Sequence, residues 1–319
     1  MASLSQAACS FPARAPLLKQ NVAMVIGERV RVSLTNVLLA VDFSETSLLA
    51  LPFATSIARH YEGKVFLAHV TEDSDRPLIG PEAQHMLDAM LVAAEEGALA
   101  SLAGTPYTPH VAVTDYGRVY PTLLAVASKS NIDLIVIGTH GRKGIGKLFH
   151  GSTAQEIFSL SCKPVLVVGP RVSTKPELQR ILYATNFSPA AIHALPLVDS
   201  LRDAFHSSLT LLHVNDGDSD ETPADAMQMT NKFLERARAA GYEELMDNAK
   251  VVVEFGAYAD RILEVAEARH SDLIVIGVQS RKGIRARFAA HLPGSIAFDV
   301  ISRAHCPVLT VSHSTLEHN

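Results

Sequence analysis

From residue 36 onward the chain alternates between two apolar patterns. Short unbroken runs, NVLLAV (36–41), KVFLAHV (64–70) and DLIVIG (133–138), have the length and continuous hydrophobicity of strands covered on both faces. ETSLLALPFATSIARHY (45–61) instead spaces its apolar residues three and four apart, as a helix with one buried stripe does, with Pro52 interrupting it. PEAQHMLDAMLVAAEEGALASLAG (81–104) reads as a long helix with proline near its start and glycine at its end. HVAVTDY (110–116) reads as a strand, PTLLAVASKSN (121–131) as a helix, TAQEIFSLS (153–161) as a helix and KPVLVV (163–168) as a strand. Five strands alternating with helices predict a doubly wound, Rossmann-like parallel α/β sheet with right-handed crossovers. Such sheets bind ligands beyond the carboxyl ends of their strands, where the strand order reverses.

The pattern then occurs a second time. NVLLAVDFSETSLLALPFA (36–54) resembles RILYATNFSPAAIHALPLV (180–198), and NIDLIVIGTHGRKGI (131–145) resembles HSDLIVIGVQSRKGI (270–284). CKPVLVV (162–168) likewise matches CPVLTV (306–311). The offset is 144 residues from His69 to His213 and 139 from Asp133 to Asp272. That period is too long for a solenoid and indicates two copies of a whole domain. The seam falls in GPRVSTKPELQ (169–179), which gives domains at 31–170 and 178–313 behind a tail of residues 1–30. Two similar halves about a pseudo-two-fold axis are expected.

Composition narrows the chemistry. The 319 residues are 48% hydrophobic and carry a net charge of −5, so any anion site must be local, and a general nucleic-acid or membrane-surface binder is disfavoured. No apolar run reaches the roughly 18 residues of a membrane span, and the first twenty residues lack the basic start and apolar core of a secretory signal. The three cysteines, Cys9, Cys162 and Cys306, form no disulfide framework. Cys162 and Cys306 read as small buried hydrophobes at strand entrances, and together these features suit a cytoplasmic protein.

GTHGRKGIGKLFHGST (138–153) follows the third apolar run. A P-loop needs a hydroxyl after its lysine, to hold Mg²⁺, and Leu148 stands there. Another phosphate cradle remains open. Gly138 and Gly141 would let the backbone approach a ligand. Gly151, Ser152 and Thr153 would open a helix whose first amides have no partner inside it. Capping alone could account for the two hydroxyls, since Thr153 with Glu156 and Ser152 with Gln155 both spell capping boxes.

The pattern G-x2-G-x9-G-[ST], met at Gly138, Gly141, Gly151 and Ser152, together with VDFS after the first strand and AHV in the second, resembles the universal stress protein family in its tandem form. That resemblance implies two five-stranded parallel sheets of order 3-2-1-4-5, edge strands KPVLVV (163–168) and CPVLTV (306–311) set against each other, and ATP as the ligand, with or without an accompanying Mg²⁺. It further implies Ala40, Val41 and Asp42 beside the adenosine, with the Val70 backbone at the adenine edge. Gly138, His140, Gly141 and Arg142 would lie near ribose and phosphates, and Gly151, Ser152 and Thr153 at the phosphate tail. A carboxylate such as Asp42 suits ribose hydroxyls, and it could equally cap the helix that follows.

The second copy departs from this pattern. Asn186 replaces Asp42, Ser280 replaces Gly141, and 13 residues rather than 9 separate that position from the next glycine, Gly294. The expectation is therefore asymmetric, with nucleotide held mainly by the first half.

Other candidates read as structure. His69 and His213, at equivalent strand ends, suggest half-buried pocket neighbours rather than metal ligands. His140 and His150 bring no third ligand. Met86, Met90, Met227 and Met229 read as core or interface fillers. No catalytic base, metal cage or nucleophile elbow is visible, which favours a stress-response regulatory module with a protein partner, and with self-association, over a slow ATPase or nucleotide hydrolase.

Overall fold

The computed structural model describes residues 32–42, 45–72, 107–114, 119–139, 161–173, 175–187, 189–215, 222–279 and 296–313, with isolated helical positions at 85, 89, 154 and 156–158. The first half contains β1 (Asn36–Ala40), α1 (Glu45–His60), β2 (Lys64–Glu72), β3 (Tyr107–Thr114), α2 (Val119–Lys129), β4 (Leu134–Gly138) and β5 (Val165–Val168). The second contains β6 (Arg180–Ala184), α3 (Pro189–Ile192), α4 (Leu195–Phe205), β7 (Ser208–Asn215), α5 (Pro223–Ala239), α6 (Glu243–Asp247), β8 (Lys250–Phe255), α7 (Tyr258–Ala268), β9 (Leu273–Gln279), α8 (Ile296–Arg303) and β10 (Val308–His313). The long helix expected over 81–104 lies outside the described residues, apart from helical positions 85 and 89.

The strands form one ten-stranded sheet of order β3-β2-β1-β4-β5-β10-β9-β6-β7-β8. Each half thus has the order 3-2-1-4-5, with parallel pairing throughout. The two sheets join where β5 meets β10 antiparallel, in the register Val167↔Val308, Leu166↔Leu309 and Val165↔Thr310. Leu166 and Leu309 are equivalent residues of the repeat, so the pseudo-two-fold axis passes between them. Joining these edges removes two unpaired strand edges, which left open would template aggregation.

Strand alternation divides the core in two. Val37 and Leu39 face one layer, packed with Leu51 of α1 and continuing across the seam to Tyr183 and Phe205. Leu38 and Ile135 face the other, packed with Leu123 of α2 and continuing to Ile274 and Val300. Each layer runs through both halves.

Local geometry repeats with the sequence. Glu62 and His206, equivalent residues ending α1 and α4, take left-handed φ angles of 51° and 51°. Asn131 and His270, after α2 and α7, take 50° and 50°. Each is followed by an amide that reaches back into the helix, Gly63 to Ala58 O (2.7 Å) and Ser271 to Ala266 O (2.8 Å) among them, closing the helix end.

One helix differs between the halves. α1 runs unbroken through Pro52, whereas its counterpart splits into α3 and α4 just before the equivalent Pro196. A difference in the strand beneath accompanies the split. Tyr183, buried in β6, donates its hydroxyl to the Ala191 carbonyl and so satisfies it where the helix stops. The equivalent residue in β1 is Leu39, which has no hydroxyl to offer.

Two readings of single residues need correction. Of the core and interface roles read for the methionines, the core role fails for Met227 and Met229, which lie on α5 but are exposed (54% and 38%), since that helix buries its Ala226–Phe233–Ala237 stripe instead. Cys306 is a buried thiol as expected, but Cys162 is half-buried and disulfide-bonded.

Candidate nucleotide site

In the first half the strand order reverses between β1 and β4, because the chain leaves β1 toward β2 on one side and returns to β4 on the other. β1 ends at Ala40, which pairs with Ala68 of β2 and Ile137 of β4. β2 continues to Glu72 beside β3, so residues 69–72 outrun β1. At about 3.3 Å per residue, they form a wall roughly 13 Å long beyond the floor. The floor consists of half-buried Ala40 and Gly138 and exposed Asp42. Val70 stands half-buried on the wall.

The backbone at this floor is fixed by an imidazole. Val41 donates its amide to Ala68 O (2.8 Å), and its carbonyl accepts from His69 Nδ1 (2.8 Å). Since a carbonyl can only accept, the proton sits on Nδ1. His69 is more deeply buried than a half-exposed pocket neighbour, at 9% exposure. The bond explains this burial, because the ring must turn inward to reach the carbonyl. Thr139 carries the ladder one step past β4, donating to Val168 O (2.9 Å).

The structure therefore brings Ala40, Val41, Asp42, Val70 and Gly138 to one strand-end opening. His140, Gly141, Arg142, Gly151, Ser152 and Thr153 lie outside the described residues, as do the capping boxes expected there. His69 is the contributor that sequence reasoning undervalued. Its signal was the matching His213, whose Nδ1 donates to Thr185 O (3.1 Å) across the same separation of 28 residues.

The second opening differs in shape as well as in residues. Exposed Asn186 occupies the place of Asp42. β9 stays in the sheet through Gln279, pairing Gly277, Val278 and Gln279 with β10, whereas Thr139, the counterpart of Val278, is already outside β4. Phe187, at φ 55°, stacks its ring on His213 (centroids 4.7 Å apart) and packs against Phe233 of α5 (5.0 Å).

Among the described residues no three histidine, cysteine or carboxylate side chains group to hold a metal ion, and no helix is long and apolar enough to cross a membrane.

Comparison with known proteins agrees with the two-copy fold. The model of the universal stress protein family matches twice, over residues 34–169 and 177–312. A universal stress protein of Mycolicibacterium smegmatis is 29% identical over 192 residues, which cover 58% of this chain and 63% of that protein; the chain thus spans less than two thirds of that relative. A second, from Thermus aquaticus, is 30% identical over 132 residues, covering 41% of this chain and 96% of its own. The crystal structure of a universal stress protein from Archaeoglobus fulgidus superposes with a TM-score of 0.64 at 20% identity, covering 88% of this chain and 99% of that one.

Proposed function

Because this chain belongs to the universal stress protein family, we propose that its first half captures an adenine nucleotide, ATP, at the opening between β1 and β4, and that the protein works as a regulatory module. The observation that carries this reading is the shape of that opening. The β2–β3 wall overhangs a floor whose exposed carboxylate, Asp42, suits ribose hydroxyls. His69 holds the Val41 carbonyl at that floor.

In this reading adenosine lies along Ala40, Val41 and the Val70 backbone. Gly138, His140, Gly141 and Arg142 approach the ribose and phosphates. Gly151, Ser152 and Thr153 take the phosphate tail through amides and hydroxyls, with Mg²⁺ accompanying the phosphates if it is needed. Residues 31–170 and 178–313 are the two repeated units, and the second holds nucleotide weakly or not at all. Bound ATP would favour the conformation that presents a partner surface. A ligand that binds only the folded chain adds about 2.7 kcal/mol at a hundred times its dissociation constant.

Acid denaturation of the purified protein, followed by anion exchange of the supernatant, tests the reading. One equivalent of adenine nucleotide per chain is expected, with single-site ATP binding by calorimetry. Two equal saturable sites would reject the asymmetry, and no nucleotide at any concentration would reject the site. Phosphate release above background that disappears in Gly141→Glu would identify a slow hydrolase instead.

A further inference from the structure

The outer edge of β8 is one end of the ten-stranded sheet, and no described residue pairs with it on that side. We propose that this edge is a self-association surface, on which β8 of a second copy of the chain pairs antiparallel about Val252.

Backbone direction comes first. Gly256 donates its amide to Asn215 O (2.8 Å), so even-numbered positions of β8 turn toward β7. By strand alternation, the amides and carbonyls of Val251, Val253 and Phe255 point to the free edge. Val251 and Phe255 are also 39% and 42% exposed, large apolar side chains at a sheet margin.

Charge then fixes partner and register. Lys250 and Glu254 alternate with those residues on the opposite face, and neither is ion-paired among the described residues. In an antiparallel pair centred on Val252, Lys250 of each copy faces Glu254 of the other, so two ion pairs form by symmetry. Val251 faces Val253 and Phe255 faces Ala249, which sets outward-pointing backbone groups opposite one another, as hydrogen bonding requires. A slip by one residue misaligns those groups, and a slip by two separates the charges. KVVVEF (250–255) is thus complementary to itself.

The opposite edge of the sheet lacks this property. β3 reads YTPHVAVT, and Pro109 removes a donor, a common way to blunt an edge strand. Antiparallel edge pairing already joins the two halves at β5 and β10, about equivalent leucines.

Sedimentation equilibrium on the full-length protein, up to about 100 μM, tests the proposal. The expected particle has twice the 34.3 kDa mass of one chain. Lys250→Glu sets like charges opposite each other at both symmetric positions and should weaken association at least about tenfold. The double reversal Lys250→Glu/Glu254→Lys should restore it to within about twofold. Val253→Pro removes an outward amide and should abolish pairing while far-UV circular dichroism stays unchanged; if that variant unfolds, the charge reversal decides. A monomer throughout overturns the proposal, whether the edge stays bare or another segment of the chain covers it. A dimer indifferent to Lys250→Glu also overturns it, since it would use a different surface.

Discussion

Asp133 and Asp272 perform the same task in the two halves, whereas Asp42 and Asn186, at the opposite ends of the strands, do not carry the same charge. Asp133 Oδ2 accepts from the Asn36 amide (2.9 Å), and the Asp133 amide donates to Asn36 O (2.8 Å). Asp272 makes the same exchange with Arg180 (3.0 and 2.8 Å), and Arg180 adds a two-toothed guanidinium contact. The amino ends of both half-sheets are therefore closed alike. At the carboxyl ends the halves part, in the residue after the first strand, in the length of β9 against β4, and in the loop that follows. Features that hold the sheet together recur in both copies, while several that would contact a ligand differ: Asn186, Gln279 and Ser280 stand where the first copy has Asp42, His140 and Gly141. That division suits one working site on a two-copy scaffold.

The largest effect should come from breaking the ligand end. Gly141→Glu, which sets a carboxylate against the proposed phosphate path, should lower ATP affinity at least about a hundredfold, or roughly 2.7 kcal/mol. Ser280→Glu, at the equivalent place, should change it by less than about twofold, because the second half contributes little binding. Calorimetry on both variants measures the contrast directly. Equal losses would show that the two halves share the task.

The scaffold end can be broken next. Gly63 has no room for a side chain: a Cβ there would lie 2.4 Å from the Thr35 carbonyl oxygen. The second half has Ser207 at this position, and the chain opposite has adapted. Leu178 takes φ 38°, and the Ser207 hydroxyl donates to its carbonyl (2.5 Å). Gly63→Ala should therefore cost about 2–3 kcal/mol in denaturant unfolding, since backbone must move. Ser207→Gly should cost less, about 1–2 kcal/mol, through one lost buried hydrogen bond and added chain freedom.

A smaller contrast concerns the two repeat cysteines. Burial, with the Asp272 carboxylate adding to it, pushes the Cys306 thiol up to about 12. An unfolded thiol ionises near 8.5. The folded state thus holds its proton where the unfolded state releases it, so the stability this group contributes is intact below about pH 8.5 and declines from there toward pH 12. By pH 9.5 the loss should reach about 1.4 kcal/mol, and Cys306→Ala should flatten that slope. Unfolding midpoints at pH 7.5, 8.5 and 9.5 would show it. Cys162, being disulfide-bonded, should give no such titration.

The repeat made much of this legible beforehand. Unbroken apolar runs ending in glycine mark β4 and β9 because a strand covered on both faces has no polar side to interrupt it. KPVLVV and CPVLTV pointed to the β5–β10 seam through the family resemblance, and the two-fold relation explains why the edges meet in equivalent residues. Tertiary contacts that carry no local signature were hidden. Nothing in AAIHALP says that its helix will break, since LLALP does not; the Tyr183 hydroxyl bonded to the Ala191 carbonyl is a tertiary contact with no counterpart in the first half. His69 and His213 gave their positions but not their burial, which follows from carbonyls 28 residues away. Met227 and Met229 were legible as helical but not as surface positions, because residue type does not say which stripe of a helix the core takes.

The least costly break lies on the axis between the halves. Ser56 of α1 donates to Pro176 O (2.6 Å), and Ser200 of α4 donates to Val32 O (2.5 Å). The two serines and the two acceptors are equivalent residues of the repeat, so these are one contact made twice, reciprocally, as an isologous interface requires. The environments are not equal. Tyr61 Oη lies 2.8 Å from Ser200 Oγ. The equivalent of Tyr61 is Phe205, which has no hydroxyl and stacks on His60 instead (3.8 Å). Ser56→Ala should cost about 1 kcal/mol, and Ser200→Ala slightly more because it strands the tyrosine hydroxyl as well. Tyr61→Phe should cancel that excess, making the two serine deletions equal. A double-mutant cycle on unfolding free energies would resolve the difference. Equal costs with Tyr61 intact would mean that its hydroxyl finds water as readily as Ser200.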